Sequence, residues 1–298
     1  MVKRFLLGTE MLKDIYNYCN EVGLRLSLAS VLESSIPKPG NASPLQDIET
    51  VSYKSLVISA LKLLPKYREA CIRGYYHKLP IMDLLYQAVD SSFSLLGTSL
   101  LLLPLAYSSS LSLDINSLLS RASQLITVMN ERDWYWFSKS LSLISPSYLG
   151  RAEKMDYRKE NLNMWEVLQW SATFDSISRE MIKGYPLTMK VFDMISRNVC
   201  GSFYKSVQGA FVHLLSIEPD SLISRKWGHR TALEVSKIAS EISICPSDNE
   251  LDAFNKFLLS KKLNPGSTAD IIAAGIGVYE IYELFVNGIK PPMQRRCN

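Results

Sequence analysis

Apolar residues recur at intervals of three and four along almost the whole chain, while strand-like alternation is scarce, so the pattern predicts helices throughout. A first helix is expected from about Glu10 to Glu33, with Leu12, Ile15, Tyr16, Cys19, Val22 and Leu26 on one face. The segment from Ser34 to Thr50 is punctuated and reads as a loop. Ser52 is placed to cap a second helix, which Pro65 should kink or end. Pro80 should open a third, and the Leu-rich run after Gly97 reads as a helix buried on all sides. Asp114 reads as an N-cap for a helix to about Met129, and another helix covers Asp133 to Ile144. Residues 146–161 are polar and irregular, and helices follow over 163–182, 186–198, 202–217, 220–243, 247–262 and 267–287. About a dozen helices without strands define an all-α fold. No repeat or low-complexity linker divides the chain, so residues 1–290 read as one domain with a flexible tail at 291–298.

Composition changes this picture little. The chain has 298 residues, 47% hydrophobic and 21% charged, with a net charge of +4. That charge is too weak and too scattered to predict a nucleic-acid partner. The run from Leu95 to Tyr107 is shorter than a membrane span and contains Pro104, so no membrane partner is expected either. Five cysteines, Cys19, Cys71, Cys200, Cys245 and Cys297, show no CxxC spacing. Their odd number and separation argue against a disulfide framework and for a reducing interior. With no signal segment at the start, a cytoplasmic location is expected. The histidines His77, His213 and His229 lack metal-ligand spacing, and His213 in its apolar run reads as a satisfied core residue.

Candidate chemistry sits in three punctuated segments. The first is Ile36-Pro37-Lys38-Pro39-Gly40-Asn41. Its prolines push Ile36 and Lys38 towards extended geometry, Gly40 permits a left-handed backbone, and Glu33 lies just upstream. This stiff turn reads as a grip for an anion. The second runs from Glu218 to Lys226, with Asp220 as an N-cap and Arg225 and Lys226 one turn in. The third is Asn264-Pro265-Gly266-Ser267-Thr268-Ala269-Asp270. Ser267 as N-cap would place Asp270 at the third helical position, a capping box, and the free amides of that start suit phosphate. Asp270 would then be a pure cap or a ligand on the magnesium side of a phosphate site.

Taken in order, these segments resemble the ATP:dephospho-CoA triphosphoribosyltransferases, over roughly residues 10 to 287. The family pattern of a glutamate followed by Pro-Lys-Pro-Gly-Asn is matched by Glu33 and residues Pro37 to Asn41. Asp47, Ser59-Ala60, Leu96-Gly97 and the run from Leu100 to Ala106 follow in family order, as do Pro219 to Gly228 and Asn264 to Asp270. The resemblance implies an all-α transferase that uses ATP with Mg²⁺. It would join the ribose C1′ of ATP to the 2′-hydroxyl of dephospho-CoA or a related acceptor and release adenine. By charge and position, Lys38, Arg225 and Lys226 are expected to meet phosphates, together with Gly40, Asn41, Asn264, Gly266, Ser267 and Thr268. Asp220 or Asp270 would meet Mg²⁺, and Glu33 or Asp47 would be the acid–base group. A homodimer is compatible with such a scaffold.

Three family elements are altered. A polar turn is replaced by Ser92-Phe93-Ser94-Leu95, a glycine-rich loop by Pro146-Ser147-Tyr148-Leu149-Gly150, and an Arg-Asp pair by Phe174-Asp175. These changes point to a more apolar occupant, or alternatively to a non-catalytic ATP- or CoA-binding relative. A third reading is an interaction protein presenting Trp134, Tyr135 and Trp136 from an exposed helix face.

Overall fold

Ser52, Asp114 and Asp220 cap helices as their residue types predict, each accepting backbone amides at the start of the next element. The computed structural model describes residues 2–49, 51–145, 149, 154–159 and 161–292, with side chains from residue 12 onward. Pro146 and Gly150 of the altered loop with its two changed positions, Ser147 and Tyr148, as well as Cys297 and most of the expected flexible tail, lie outside these described residues. Fourteen helices and no strands make up the described chain: α1 (Val2–Ser35), α2 (Tyr53–Tyr75), α3 (Met82–Tyr86), α4 (Leu96–Ser109), α5 (Ile115–Thr127), α6 (Glu131–Ile144), α7 (Met164–Ser171), α8 (Ser176–Lys183), α9 (Pro186–Ser196), α10 (Phe203–Ile217), α11 (Ser221–Trp227), α12 (His229–Ser240), α13 (Asp248–Ser260) and α14 (Gly266–Val286). They form one helical domain. Among the described residues no helix is long and apolar enough to cross a membrane.

Two helices are buried on nearly every face because their sequences are apolar on nearly every face: α4, from Thr98 to Ser109, and α14, from Ile271 to Phe285. The long α1 packs along α2, α14 and α4, while α9 and α10 close the other side of α14. Close approach of α2 to α4 depends on Gly74, where a Cβ would sit 1.9 Å from the Tyr107 carbonyl oxygen.

Several expectations need correction. Pro65 does not end α2, which continues to Tyr75. The third helix begins at Met82, two residues past Pro80. The helices expected over 163–182 and 220–243 each break in two, the second at Gly228 with φ +90°. Trp134 is buried, its indole N–H donating to the Lys159 carbonyl at 2.7 Å, so only Tyr135 of the aromatic run is well exposed. His213 is half-buried. The cysteines also pair, Cys19 with Cys71 and Cys200 with Cys245, across 52 and 45 residues of sequence. Helix packing brings these partners together, a juxtaposition that local spacing does not encode. The pairing removes the ground for inferring a reducing interior.

Among the described residues five helix starts have no capping side chain of their own, α12 behind Gly228 and four others: α3, α4, α9 and α14. An orphan amide in the interior costs free energy unless an acceptor reaches it. Each of the four borrows a carboxylate from another element. Asp133 of α6 accepts from the Ile81 and Met82 amides at 2.9 and 3.2 Å, and Glu180 of α8 accepts from Leu187 and Thr188 of α9 at 3.0 and 2.9 Å. Asp270 of α14 accepts from the Thr98 amide of α4 at 2.8 Å, and Asp220 accepts from the Thr268 amide of α14 at 2.8 Å.

The tight α2–α4 contact gives a direct test. Gly74→Ala forces a methyl into a backbone oxygen, so the two helices must separate, at a cost of about 3 kcal/mol. Urea denaturation measures this, and an unchanged midpoint would mean that the helices are not so closely packed.

Candidate active site

The ends of five helices meet around a single cavity of about 990 Å³. The starts of α2, α4, α8, α11 and α14 all contribute to its wall, through Ser52, Thr98, Ser178, Leu222 and Ser267 among others. Each helix N-terminus carries partial positive charge and outward amides, which favours anions. Three of these starts are joined by hydroxyls. Ser176 and Ser221 share a hydrogen bond of 2.8 Å, and Ser221 donates to Ser267 at 2.9 Å.

Most of the residues singled out from sequence do reach this cavity. Glu33, Asn41, Asp47, Arg225, Lys226, Asn264, Gly266, Ser267 and Asp270 line it, although they come from widely separated parts of the chain. Lys38, Gly40, Asp220 and Thr268 are not on its wall. The Lys38 side chain is fully buried: its Nζ pairs with Glu33 Oε1 at 2.9 Å and donates to the carbonyls of Ile36, at 2.9 Å, and Glu33. Its ammonium is committed to protein oxygens, which corrects the expectation that it meets phosphate. Gly40 does adopt the left-handed backbone expected of it, at φ +76°. It serves packing: a Cβ there would lie 2.7 Å from the Leu263 carbonyl oxygen, and the Gly40 amide donates to Asn255. Gln208 holds the Pro37 carbonyl and the Asn41 amide donates to Asn264 at 2.8 Å, so the turn is a clasp between α1 and the start of α14.

Asp220 behaves as a structural group. Its Oδ1 accepts from Leu222 and Ile223, and its Oδ2 accepts from the amide and hydroxyl of Thr268. A carboxylate has about four lone-pair positions, and all of them are taken, which leaves none for a metal. Thr268 is consequently buried as its partner.

Asp270 is not a local capping-box residue, because α14 starts at Gly266, without a side-chain cap from Ser267. Its Oδ1 is fixed by the amide and hydroxyl of Thr98, at 2.8 and 2.5 Å. Its Oδ2 lies against Gly97, where a Cβ would come within 2.2 Å, so only glycine lets the carboxylate approach α4. Burial pushes its pKa up to about 7, and the nearby Glu33 and Asp220 charges add to the shift against the Thr98 hydrogen bonds.

Sequence reasoning missed Asp175 as a site group. It caps α8 through Ser178, and its Oδ1 accepts from Arg225 at 2.5 Å, so it orients that guanidinium at the cavity wall. Its position directly before Ser176-Ile177-Ser178 is a readable N-cap signal. Phe93 and Leu95, in the altered turn, are buried in the core, while Phe174 stands partly exposed at the lip.

Among the described residues the cavity wall carries six carboxylates, Glu33, Asp47, Glu49, Asp156, Asp175 and Asp270, and two cations, Arg225 and Lys226. A polyphosphate entering such a wall needs cationic partners. Among the described residues no group of three or more His, Cys, Asp or Glu could hold a metal by itself. Mg²⁺ usually takes only one or two carboxylates and completes its shell with phosphate oxygens and water. Glu33 and Asp270 fit that requirement, because each faces the cavity with one oxygen engaged by the protein, Glu33 by Lys38 and Asp270 by Thr98.

An all-helical domain with a carboxylate-rich cavity at converging helix starts is the class that the structure defines. The chain belongs to the ATP:dephospho-CoA triphosphoribosyl transferase family, whose model matches residues 19–288. The crystal structure of an Archaeoglobus fulgidus protein assigned as a triphosphoribosyl-dephospho-CoA synthase is similar in fold, with a TM-score of 0.61 at 22% identity. The match covers 75% of this chain and 97% of that one. No curated protein matches the chain.

Two outcomes are expected from these contacts. Lys38→Met leaves the Glu33 carboxylate buried without its cation and should cost on the order of 3 kcal/mol in chemical denaturation. A variant as stable as the parent would return Lys38 to the list of ligand contacts. For Asp270 the folded state holds the proton more tightly than the unfolded chain, so its stabilising share is complete below 3.8 and is lost as pH rises through about 7. Asp133, Glu180 and Asp220 are also pushed up by burial and act with the same sign. Asp270→Asn keeps an acceptor for Thr98 and should flatten the decline of melting temperature between pH 4 and 7 without removing it. A profile as steep as the parent's would exclude Asp270 as a contributor.

Proposed function

We propose that this chain transfers the triphosphoribosyl group of ATP to the 2′-hydroxyl of dephospho-CoA and releases adenine. The observation that carries this reading is the convergence of Arg225, Lys226, Ser267, Glu33 and Asp270 on one cavity at the starts of α4, α8 and α14. Its volume of about 990 Å³ is at the upper end for a single small-molecule site and suits two nucleotides side by side.

In this reading the triphosphate lies along the starts of α8 and α14, against Arg225 and Lys226. Asp175 holds the Arg225 guanidinium in place for that contact. Glu33 and Asp270 would hold Mg²⁺ on the cavity wall, where it would supply positive charge between the carboxylates and the triphosphate. The reaction is a glycosyl transfer: the bond from C1′ to the adenine nitrogen breaks, and a bond from C1′ to the acceptor oxygen forms. Positive charge develops at the anomeric carbon during this exchange, and the carboxylate-rich wall stabilises it. The departing adenine takes up a proton, while the acceptor hydroxyl gives one up. Asp47 is the group for the latter: it is exposed on the cavity wall, and the Tyr53 amide at 2.7 Å fixes its Oδ1. Glu33, tied to Lys38 and placed beside Asp270, is assigned to the metal.

The test is adenine release from ATP, Mg²⁺ and dephospho-CoA, followed by chromatography. Asp47→Asn should lower kcat by about 100-fold or more, with the KM for ATP nearly unchanged. A variant with the parent's kcat would remove Asp47 from the reaction, and a parent chain that releases no adenine would remove the reading itself.

A further inference from the structure

Phe174 and Trp170 form an aromatic lip on the cavity that the contacts above do not use. Phe174 is 44% exposed, although it is a large apolar ring. Trp170 is half-buried, and the two rings meet edge to face with centroids 4.9 Å apart. Both residues line the cavity. A single exposed phenylalanine is ordinary on a protein surface. This one is joined to the anion-facing corner by the shortest possible link. Phe174 immediately precedes Asp175, whose Oδ1 accepts from Arg225 at 2.5 Å and whose Oδ2 caps α8. Neighbouring Cα atoms lie about 3.8 Å apart, so the lip and the corner are adjoining parts of one wall.

A ligand that satisfies both parts needs an anionic group for Arg225 and the helix starts, and a flat apolar group for the rings. Nucleotides combine these features, and bases stack well on aromatic side chains. We infer that the Trp170–Phe174 lip is the platform for an adenine ring bound in this cavity, and that Phe174 is its stacking face. The inference rests on the proposed use of adenine nucleotides. Because adenine occurs in both ATP and dephospho-CoA, the shared chemistry is the base itself, and the two sources are told apart by experiment. The turn that carries the rings is fixed by local bonds: the Phe174 and Asp175 amides both donate to the Ser171 carbonyl, at 3.0 and 2.8 Å, and Arg179 Nε donates to the Ala172 carbonyl at 2.9 Å. The ring is thus presented by an ordered turn, and its replacement leaves these bonds intact.

Isothermal titration of the parent, Phe174→Leu and Phe174→Tyr with three probes tests the assignment: ATP with Mg²⁺, inorganic tripolyphosphate with Mg²⁺, and dephospho-CoA. Phe174→Leu should weaken one of the two adenine nucleotides about tenfold. Tripolyphosphate binding should stay within about twofold, and Phe174→Tyr should keep the parent's affinity. Weakening confined to ATP assigns the platform to the donor, and weakening confined to dephospho-CoA assigns it to the acceptor. Equal weakening of tripolyphosphate would overturn the inference, because Phe174 would then act through Asp175 and Arg225. Unchanged binding of both nucleotides, or no binding of either by the parent, would overturn it as well. Adenine release is scored separately. A parent that turns over while Phe174→Leu binds normally refutes the platform alone. A parent that does not turn over while Phe174→Leu still loses affinity refutes the reaction and leaves the platform standing.

Discussion

A buried helix start must find an acceptor for its amides, and in this molecule that requirement is met from a distance. The starts of α3, α4, α9 and α14 carry no cap of their own, and Asp133, Asp270, Glu180 and Asp220 are brought to them from other elements. A cap contributes about 1 kcal/mol, whereas taking a carboxylate out of water costs several kcal/mol per ion. The net gain in stability from each such contact is therefore small. What the contacts fix is arrangement: a carboxylate that must meet an amide and a hydroxyl 172 residues away in sequence, as Asp270 meets Thr98 of α4, defines one packing of α4 against α14. The cavity is a consequence of that packing, since helix starts that share acceptors have to be neighbours.

This explains which parts of the molecule were legible in the sequence. Helices are encoded by apolar spacing and by local caps, so Ser52, Asp114 and Asp220 could be read where they stand. The division of the expected 163–182 helix around Asp175 lay within reach of the same rule, because Asp175 precedes a Ser-Ile-Ser start. Borrowed caps have no local signature. Asp270 sits at the third position after Ser267, which matches a capping box, yet its amide and hydroxyl partners are on Thr98. The cysteine pairs were unreadable for the same reason: each bond joins segments that only the tertiary packing makes adjacent.

The Pro-Lys-Pro-Gly-Asn turn shows how a conspicuous motif can serve a site without touching its ligand. Prolines and a left-handed glycine restrict the chain, and a lysine in such a turn suggests a grip on an anion. The anion that Lys38 holds is Glu33, at 2.9 Å within the protein. By neutralising and orienting one oxygen of that carboxylate, Lys38 makes it tolerable for Glu33 to stand beside Asp270 in a low-dielectric wall. The turn also delivers Asn41 to Asn264 and so ties the end of α1 to the start of α14. Family resemblance pointed to segments that meet at one cavity, while charge alone suggested a phosphate contact for a lysine whose ammonium the protein itself engages.

Charge balance then constrains what the cavity can accept. Among the described residues the helix starts and two cations favour anions, while six carboxylates oppose them. Some of this opposition is already spent within the protein: Glu33 is engaged by Lys38, Asp175 by Arg225, and Asp270 by Thr98. The remaining negative charge lies deep in the site, where burial and the Glu33 charge raise the proton affinity of Asp270. A bare polyphosphate would add to that repulsion, and a divalent cation entering with it would relieve both at once. Binding of phosphate and of cation should therefore be mutually dependent, each lowering the electrostatic cost of the other. In the proposed reading the cation would act on binding, because it would let the triphosphate lie against an acidic wall, while the same carboxylates favour the positive charge that develops at the ribose. The pocket would thus suit the complex of nucleotide and metal better than either alone.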